Sequence, residues 1–399
     1  MAKNAKILVI VVVGMALFLA VVVVATTDGG RGLASGVSIA DSERYVGIDS
    51  GVLSGDSKVV SIASGGEHTC ALFSGGRLKC WGKGENGQVG DGYGSNRYYP
   101  TVVVGVEAVA VSAGLAHSCA IDASRAVWCW GSNTEGQVGR VPGVNVLLPT
   151  EVSGLGSGVV SVSAGGLHTC ALGADHRVRC WGDNEAGQLG NGTSVGSAFP
   201  VQVLGLDEGV VAISAGAGHT CAITLSGGVW CWGDNASGVL GDGTFAERRY
   251  PSPVLGLGSG VVAISAGAMH TCAIDGSGRV LCWGQNSSGQ LGDGTTAEKN
   301  IPTPVVGLDS GGVVVSCGGM HTCVVTSAHG VRCWGIDGFV PKAVAGLETG
   351  IVSVSSGLGH ICVVTEDEKA MCWLLNDMGQ LGDGTTAFRF NPTPVGVSE

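Results

Sequence analysis

The sequence predicts an all-β chain, a seven-bladed β-propeller of ~50-residue repeats preceded by one N-terminal transmembrane or signal helix. Three observations carry this. A His-Thr-Cys-type motif recurs seven times, glycine accounts for 71 of 399 residues, and short apolar/polar alternation prevails after the first 58 residues. Charged residues are 13% of the chain and hydrophobic ones 45%, which argues against disorder. The glycines lack the G-X-Y period of collagen and read as turns between short strands. The net charge is −11, and no Lys/Arg cluster offers the basic face that nucleic acid needs for counterion release. Nucleic acid is therefore not an expected partner.

The elements follow in chain order. Residues 1–6, with Lys3 and Lys6, read as a cytoplasmic N-terminus. Residues 7–25 (ILVIVVVGMALFLAVVVVA) run nineteen positions without a charge, enough to cross a bilayer core as a helix. The positive-inside rule then places everything after Ala25 outside. A cleaved signal peptide is the competing reading, since Val23-Val24-Ala25 resembles a small-residue cleavage site. The apolar run exceeds the usual roughly 7–15 residues, which favours an uncleaved anchor. Both readings export the rest of the chain. Residues 26–58 are Gly/Ser/Asp-rich and read as a linker.

Residues 59–399 hold the repeats. The motif histidines His68, His117, His168, His219, His270, His321 and His360 are spaced by 49, 51, 51, 51, 51 and 39 residues. A period near 50 marks a repeat architecture. Alternation predicts a Val-x-Ile-Ser-Ala strand, a His-Thr-Cys-Ala-Leu strand, a Val-x-Cys-Trp strand and a Pro-x-Pro-Val edge strand. Proline suits an edge because it has no N–H for the ladder. Four short antiparallel strands per repeat make a blade. A parallel β-helix is the other architecture open to such a repeat, but its rungs are shorter.

The recurring HTCAL, CWG, N and GQLGDG, running from about Val59 to Val397, resemble the repeat of the regulator-of-chromosome-condensation family of seven-bladed propellers. Kelch propellers share the period but not this pattern. The resemblance implies a closed ring. It also implies two precedents, nucleotide exchange on a small GTPase by the founding nuclear member and protein inhibition by a secreted bacterial propeller of similar repeat. The family usually lacks paired cysteines at these positions, so the cysteines are a departure.

Cys70 and Cys80 flank the turn Ser74-Gly75-Gly76. With a three-residue loop, position 70 faces 80 across the hairpin, within disulfide reach. The same offset gives Cys119–Cys129, Cys170–Cys180, Cys221–Cys231, Cys272–Cys282, Cys323–Cys333 and Cys362–Cys372, fourteen of fifteen cysteines. A small buried hydrophobe copied by duplication is the plain alternative. The export signal and the persistence of both members in the divergent sixth and seventh repeats favour disulfides. Zinc is disfavoured because the spacing is not a knuckle. Cys317 is left over, at a position where other repeats have Ala, and reads as a buried small residue with a free thiol.

The seven histidines are expected to hydrogen-bond backbone between blades rather than bind metal. The Trp after each second Cys (Trp81 to Trp373) is expected to fill the space between blades. Light sensing, known for plant photoreceptors of this family, is rejected because only Trp128 and Trp230 exceed one per blade. GQLGDG reads as turn chemistry, since no Lys-Ser/Thr follows as a phosphate loop would require. Calcium at Asp242, Asp293 or Asp383 is disfavoured because ligands do not alternate.

No Ser/His/Asp set, HExxH or nucleophile elbow appears, and neither catalysis, a cofactor nor a metal is expected. The rim segments before Pro-x-Pro carry the candidate binding residues Arg97, Tyr98, Tyr99, Phe199, Arg248, Arg249, Tyr250, Phe339, Phe388, Arg389 and Phe390. Aromatics and Arg in a charge-poor chain have the composition of interface anchors, and shielding of blade edges is their bland role. The sixth repeat is twelve residues short (51 against 39) and lacks GQLGDG, which leaves a notch on one rim. Either Tyr45-Val46-Gly47-Ile48 or Pro392 to Val397 could supply the strand that closes the ring, and the C-terminal segment is expected to, because its own GQLGDG precedes it. The expected function is an extracytoplasmic, membrane-anchored or secreted protein-interaction module with an unidentified protein partner. Exchange on a GTPase and a rim glycan binder or hydrolase are the alternatives.

Overall fold

Each repeat folds as a hairpin extended on both sides into four antiparallel strands. In the third repeat these are Val159–Ala164, His168–Gly173, Val178–Gly182 and Ser197–Gln202, hydrogen-bonded in sequence order. β-Branched residues and alternation favour the pleated state of the inner strands, which are buried on both faces. The fourth strand is the outer edge and carries the proline predicted there, Pro200 in this blade. A computed structural model describes residues 58–206 and 209–396, together with the short pairing of Val12–Val13 with Leu17–Phe18.

Seven such sheets follow one another. The first two share one long strand, Arg97–Ala113, which serves as outer strand of the first blade and inner strand of the second. The connection between these blades is two residues shorter than the next ones (49 against 51 between motif histidines), so the chain runs straight through. The inner strands meet around a central axis, and a circle of backbone bonds links their ends. Gly66 N–H donates to Gly114 O at 3.0 Å, Leu115 to Gly165 at 3.1 Å, and so on round to Leu358, which donates to Gly65 O at 3.3 Å. The space inside this circle is a cavity of about 40 Å³ lined by Gly, Ala, Leu115, Leu358, Cys317 and Ser356.

The ring closes without an exchanged strand. The last blade is built from consecutive segments, and Arg389–Pro394 is its outer strand, pairing Cys372 with Thr393. The C-terminal segment therefore takes the place expected for it, while Tyr45 to Ile48 lie outside the described residues. Last and first blades are joined side to side, with Val59 N–H on Glu368 O at 2.8 Å and Ser64 N–H on Ser355 Oγ at 2.9 Å. The expected helix at 7–25 and linker at 26–58 lie outside the described residues, apart from Lys58 and the four residues paired above. Among the described residues no helix is long and apolar enough to cross a membrane.

The hairpin register is the expected one. Cys170 faces Cys180 and Leu172 faces Val178, and the equivalent pairs recur in every blade. All seven predicted disulfides are present, with Cα atoms 4.0–4.1 Å apart. Each lies in a junction core rather than inside one blade. Cys170 and Cys180 pack in one cluster with Leu172, Leu189 and the next blade's Ala222 and Trp232. The same arrangement of disulfide against the following blade's Trp recurs at all seven junctions.

Candidate functional site at the open blade junction

Six of the seven junctions are tied by the same parts. The GQLGDG loop of one blade lies on the next blade. The carbonyl of its Gln188 accepts the Trp232 indole N–H at 2.9 Å and the Thr220 hydroxyl at 3.0 Å. Gly190 sits against the indole, where a Cβ would stand 2.7 Å from Trp232 Nε1. That close approach, at φ +64°, is why the position is glycine. The loop itself is held by Asn184, whose amide reaches Asn191, Thr193 and Val195 while its carbonyl accepts the Leu189 N–H at 2.9 Å.

The motif histidines complete the tie. Thr220 spends its proton on Gln188 O, so its oxygen accepts from His168 Nε2–H at 2.8 Å. Equivalent bonds join His68 to Ser118, His117 to Thr169, His219 to Thr271, His270 to Thr322 and His360 to Thr69. The expected histidine partner, backbone, is corrected to a hydroxyl of the following blade. Burial holds all seven imidazoles neutral, with pKa values lowered to about 3 or 4.

The junction between sixth and seventh blades lacks these ties. Residues 183–196 form the third blade's loop, but in the sixth blade only Ile336 and Asp337 separate strand Val331–Gly335 from strand Gly338–Ala343. With no loop carbonyl to receive a hydroxyl, the seventh blade has Ile361 where others have Thr or Ser. His321 is then left with neither nitrogen bonded, and the Trp373 indole has no loop acceptor. Leu374 stands where other blades have glycine. At Gly82 a Cβ would lie 3.1 Å from Cα of Gln380 in the covering loop. Leu374, at φ +79°, packs instead with Ile361, Trp373 and Cys323. The inner half of the loop's footprint is thus refilled by apolar side chains.

The outer half is bare. Phe390 is 83% exposed, against 44% for Tyr98, 38% for Leu147 and 49% for Phe339 at the same strand position. Phe388 meets it edge-on at 4.8 Å between ring centroids. Cys333 is only partly buried here, unlike the second Cys of the other pairs.

The remaining candidate residues are spread around the rim and not gathered into one patch. Arg97, Arg248 and Arg389 are tied to Asp91, Asp242 and Asp383 of their own loops. Burial opposes the Asp383 charge, but bonds from Thr385 and Arg389 outweigh it and hold its pKa below the ordinary value. These three arginines therefore brace loops. Tyr98, Arg249 and Phe339 lie under glycines of the preceding blade's loop, and Tyr99 and Tyr250 touch Gly384 and Gly192. Phe199 is 51% exposed on the third blade. His270, Cys272 and Cys317 hold their ligand atoms within 4.8 Å of one another, but Cys272 is bonded to Cys282 and burial pushes the Cys317 thiol up to about 12. No thiolate is available there at neutral pH. Sequence reasoning missed the Thr of HTC and the Ser of ISA as inter-blade ties. Their recurrence was the signal. Ser163 Oγ, for example, accepts Ala215 N–H at 2.9 Å.

Comparison with known proteins agrees with this geometry. Family models of the regulator of chromosome condensation (RCC1) repeat match residues 75–121, 126–172, 175–223, 226–274 and 277–325. The chain is 38% identical over 279 residues to the human E3 ubiquitin-protein ligase HERC2, which covers 68% of this chain but only 6% of that protein. It is 30% identical over 291 residues to the ultraviolet-B receptor UVR8 of Arabidopsis thaliana, covering 71% of this chain and 66% of that one. The crystal structure of Prp20p from Saccharomyces cerevisiae superposes with a TM-score of 0.73 at 20% identity, over 86% and 88% of the two chains. With family matches over more than half its length, seven like-built blades and a ring-shaped fold shared with Prp20p, the chain belongs to the regulator of chromosome condensation repeat family.

Proposed function

We propose that this chain is a non-catalytic protein-binding propeller displayed outside the cytoplasm, anchored by residues 7–25 or released if they are cleaved. The observation that carries the reading is a disulfide in every blade, in a chain whose residues 7–25 form a long uncharged apolar run. Such bonds form and persist in oxidising compartments. The motif histidines are buried out of reach of a substrate, and burial lowers their pKa to about 3 or 4, too weakly basic for general-base work near neutral pH. The exposed rings of Tyr98, Tyr99, Phe199, Tyr250, Phe388 and Phe390 and the Arg249 side chain supply anchors of the kind that protein interfaces use. An acidic chain without a basic patch suits a protein partner better than nucleic acid.

The test is non-reducing mass spectrometry of the full-length chain from its native membrane or medium, combined with protease accessibility on intact cells. Seven disulfides, one free thiol and an accessible propeller are expected. Free thiols throughout, or a protected propeller, would overturn the compartment. Pull-down from the extracellular face then tests binding. The Prp20p structure was reported with its binding to Gsp1p and histones, so capture of a cytosolic GTPase alone would favour exchange and defeat both parts of the proposal. Glycan-array hits lost on mutating Arg248 and Tyr250 would favour a glycan ligand instead.

A further inference from the structure

We infer that the open junction between the sixth and seventh blades receives a glycine-containing polypeptide turn from a partner protein, seated on Phe390. This rests on the protein-binding reading above and gives it a site and a ligand chemistry.

The chain's own junctions show what such a surface takes. The first glycine of each loop lies against the outer-strand residue equivalent to Phe390. Gly289 covers Phe339 and Gly379 covers Tyr98, each so closely that a Cβ would collide with the ring. In five of the six loops the last glycine donates its N–H to the carbonyl of that same residue, as from Gly294 to Phe339 O at 3.0 Å and from Gly384 to Tyr98 O at 2.9 Å. Phe390 offers the same two features, a ring and a carbonyl, and no loop meets either. Glycine stands above this position at all six covered junctions, whether the residue beneath is Phe339, Tyr98, Leu147, Ala198, Arg249 or Asn300, because the loop backbone there has positive φ and comes too close for a Cβ.

The site is open by construction. Ile361 and Leu374 close the core, so the ring is sealed without the loop. What they leave uncovered is the outer footprint, with Phe388 edge-on to Phe390. The occupant does not come from the described parts of the chain. Each of its six rim loops is engaged on the following blade, the last one on Tyr98 and Tyr99 of the first. Among the described residues a second copy has no spare loop to lend without opening its own ring. Arg389 is committed to Asp383, and Lys342 of the sixth blade bonds the Asp337 carbonyl. A ring and a backbone acceptor fit a peptide turn.

The probe is a cyclised, fluorescent peptide of this chain's residues 286–295, which carry one complete GQLGDG turn. Anisotropy against the full-length chain should show saturable binding. Phe390→Ala in the protein, or Gly289→Ala in the peptide, should each weaken it roughly tenfold or more, while Val195→Ala, at an exposed third-blade position, should leave it unchanged. A second variant replaces Ile336 and Asp337 with residues 285–298, together with Ile361→Thr and Leu374→Gly so that the graft can seat. It should abolish binding by covering the site in cis. Absence of saturable binding, or binding indifferent to both Phe390→Ala and the peptide glycine, overturns the inference. Self-association lost in Phe390→Ala would assign the site to a second copy and overturn it too. An extracellular partner that is captured equally by wild type and Phe390→Ala defeats this inference while leaving the protein-binding reading intact.

Discussion

His321 and His168 are the same residue in the same motif, yet only one has a partner. His168 bonds Thr220 at 2.8 Å, whereas both nitrogens of His321 are buried and unbonded because Ile361 faces it. His168→Leu should therefore cost about 1 kcal/mol more stability than His321→Leu, the net worth of one hydrogen bond. Urea unfolding of the two variants checks this, and equal losses would mean that the bond contributes nothing. The cysteines were the most legible residues, since a ten-residue offset around a three-residue turn settles which sulfurs meet. The histidine partner was not legible. The hydroxyl it bonds lies about one repeat later in the chain (50 to 52 residues for five of the six) and is brought to it only by the neighbouring blade.

At the scale of elements, the hairpin and the rim loop contribute differently. Each disulfide spans ten residues of one hairpin and limits the unfolded chain locally. Replacing Cys170 and Cys180 together with Ala should lower stability by about 2–3 kcal/mol, read as a shift of the denaturant midpoint under non-reducing conditions. The outer strand acts at a distance as well. Arg389–Pro394 pairs with the strand carrying Cys372, and Val395 packs against the cluster that holds Trp81 of the first blade. Deleting residues 390–399 should lower Tm by roughly 5 °C or more, and a neutral deletion would show that closure does not depend on this strand. Strand positions and the edge prolines were readable from alternation and from the missing proline N–H. The rim loop's role was not. GQLGDG reads as a turn in isolation, and its carbonyl acts on a Trp and a Thr of the following blade.

At the scale of the whole molecule, seven neutral imidazoles ring the axis. Burial holds them near pKa 3 or 4 in the fold, against 6.5 when unfolded. Below pH 6.5 the unfolded chain takes up protons that the folded ring refuses, so stability is full above that pH and is lost as pH falls toward 4. Each histidine contributes up to ~1.4 kcal/mol per pH unit in this window. Unfolding free energy measured by urea should fall steeply from pH 6.5 to 4.5, with a shallower slope after His117→Gln and His270→Gln. A flat profile would mean that the imidazoles are solvated.

By itself the sequence determined the repeat, the blade, the hairpin register, the sulfur pairing and the family. All of these follow from short-range pattern, where turn length and alternation dictate which atoms are neighbours. It also revealed that one loop is missing. Only the tertiary structure decided what that absence does, because Ile361, Leu374 and Phe390 lie 24 to 53 residues beyond the two-residue turn at Asp337 that replaces the loop. They become its consequences through the packing of one blade on the next, where a backbone carbonyl, a hydroxyl and an imidazole from distant segments must share one buried space.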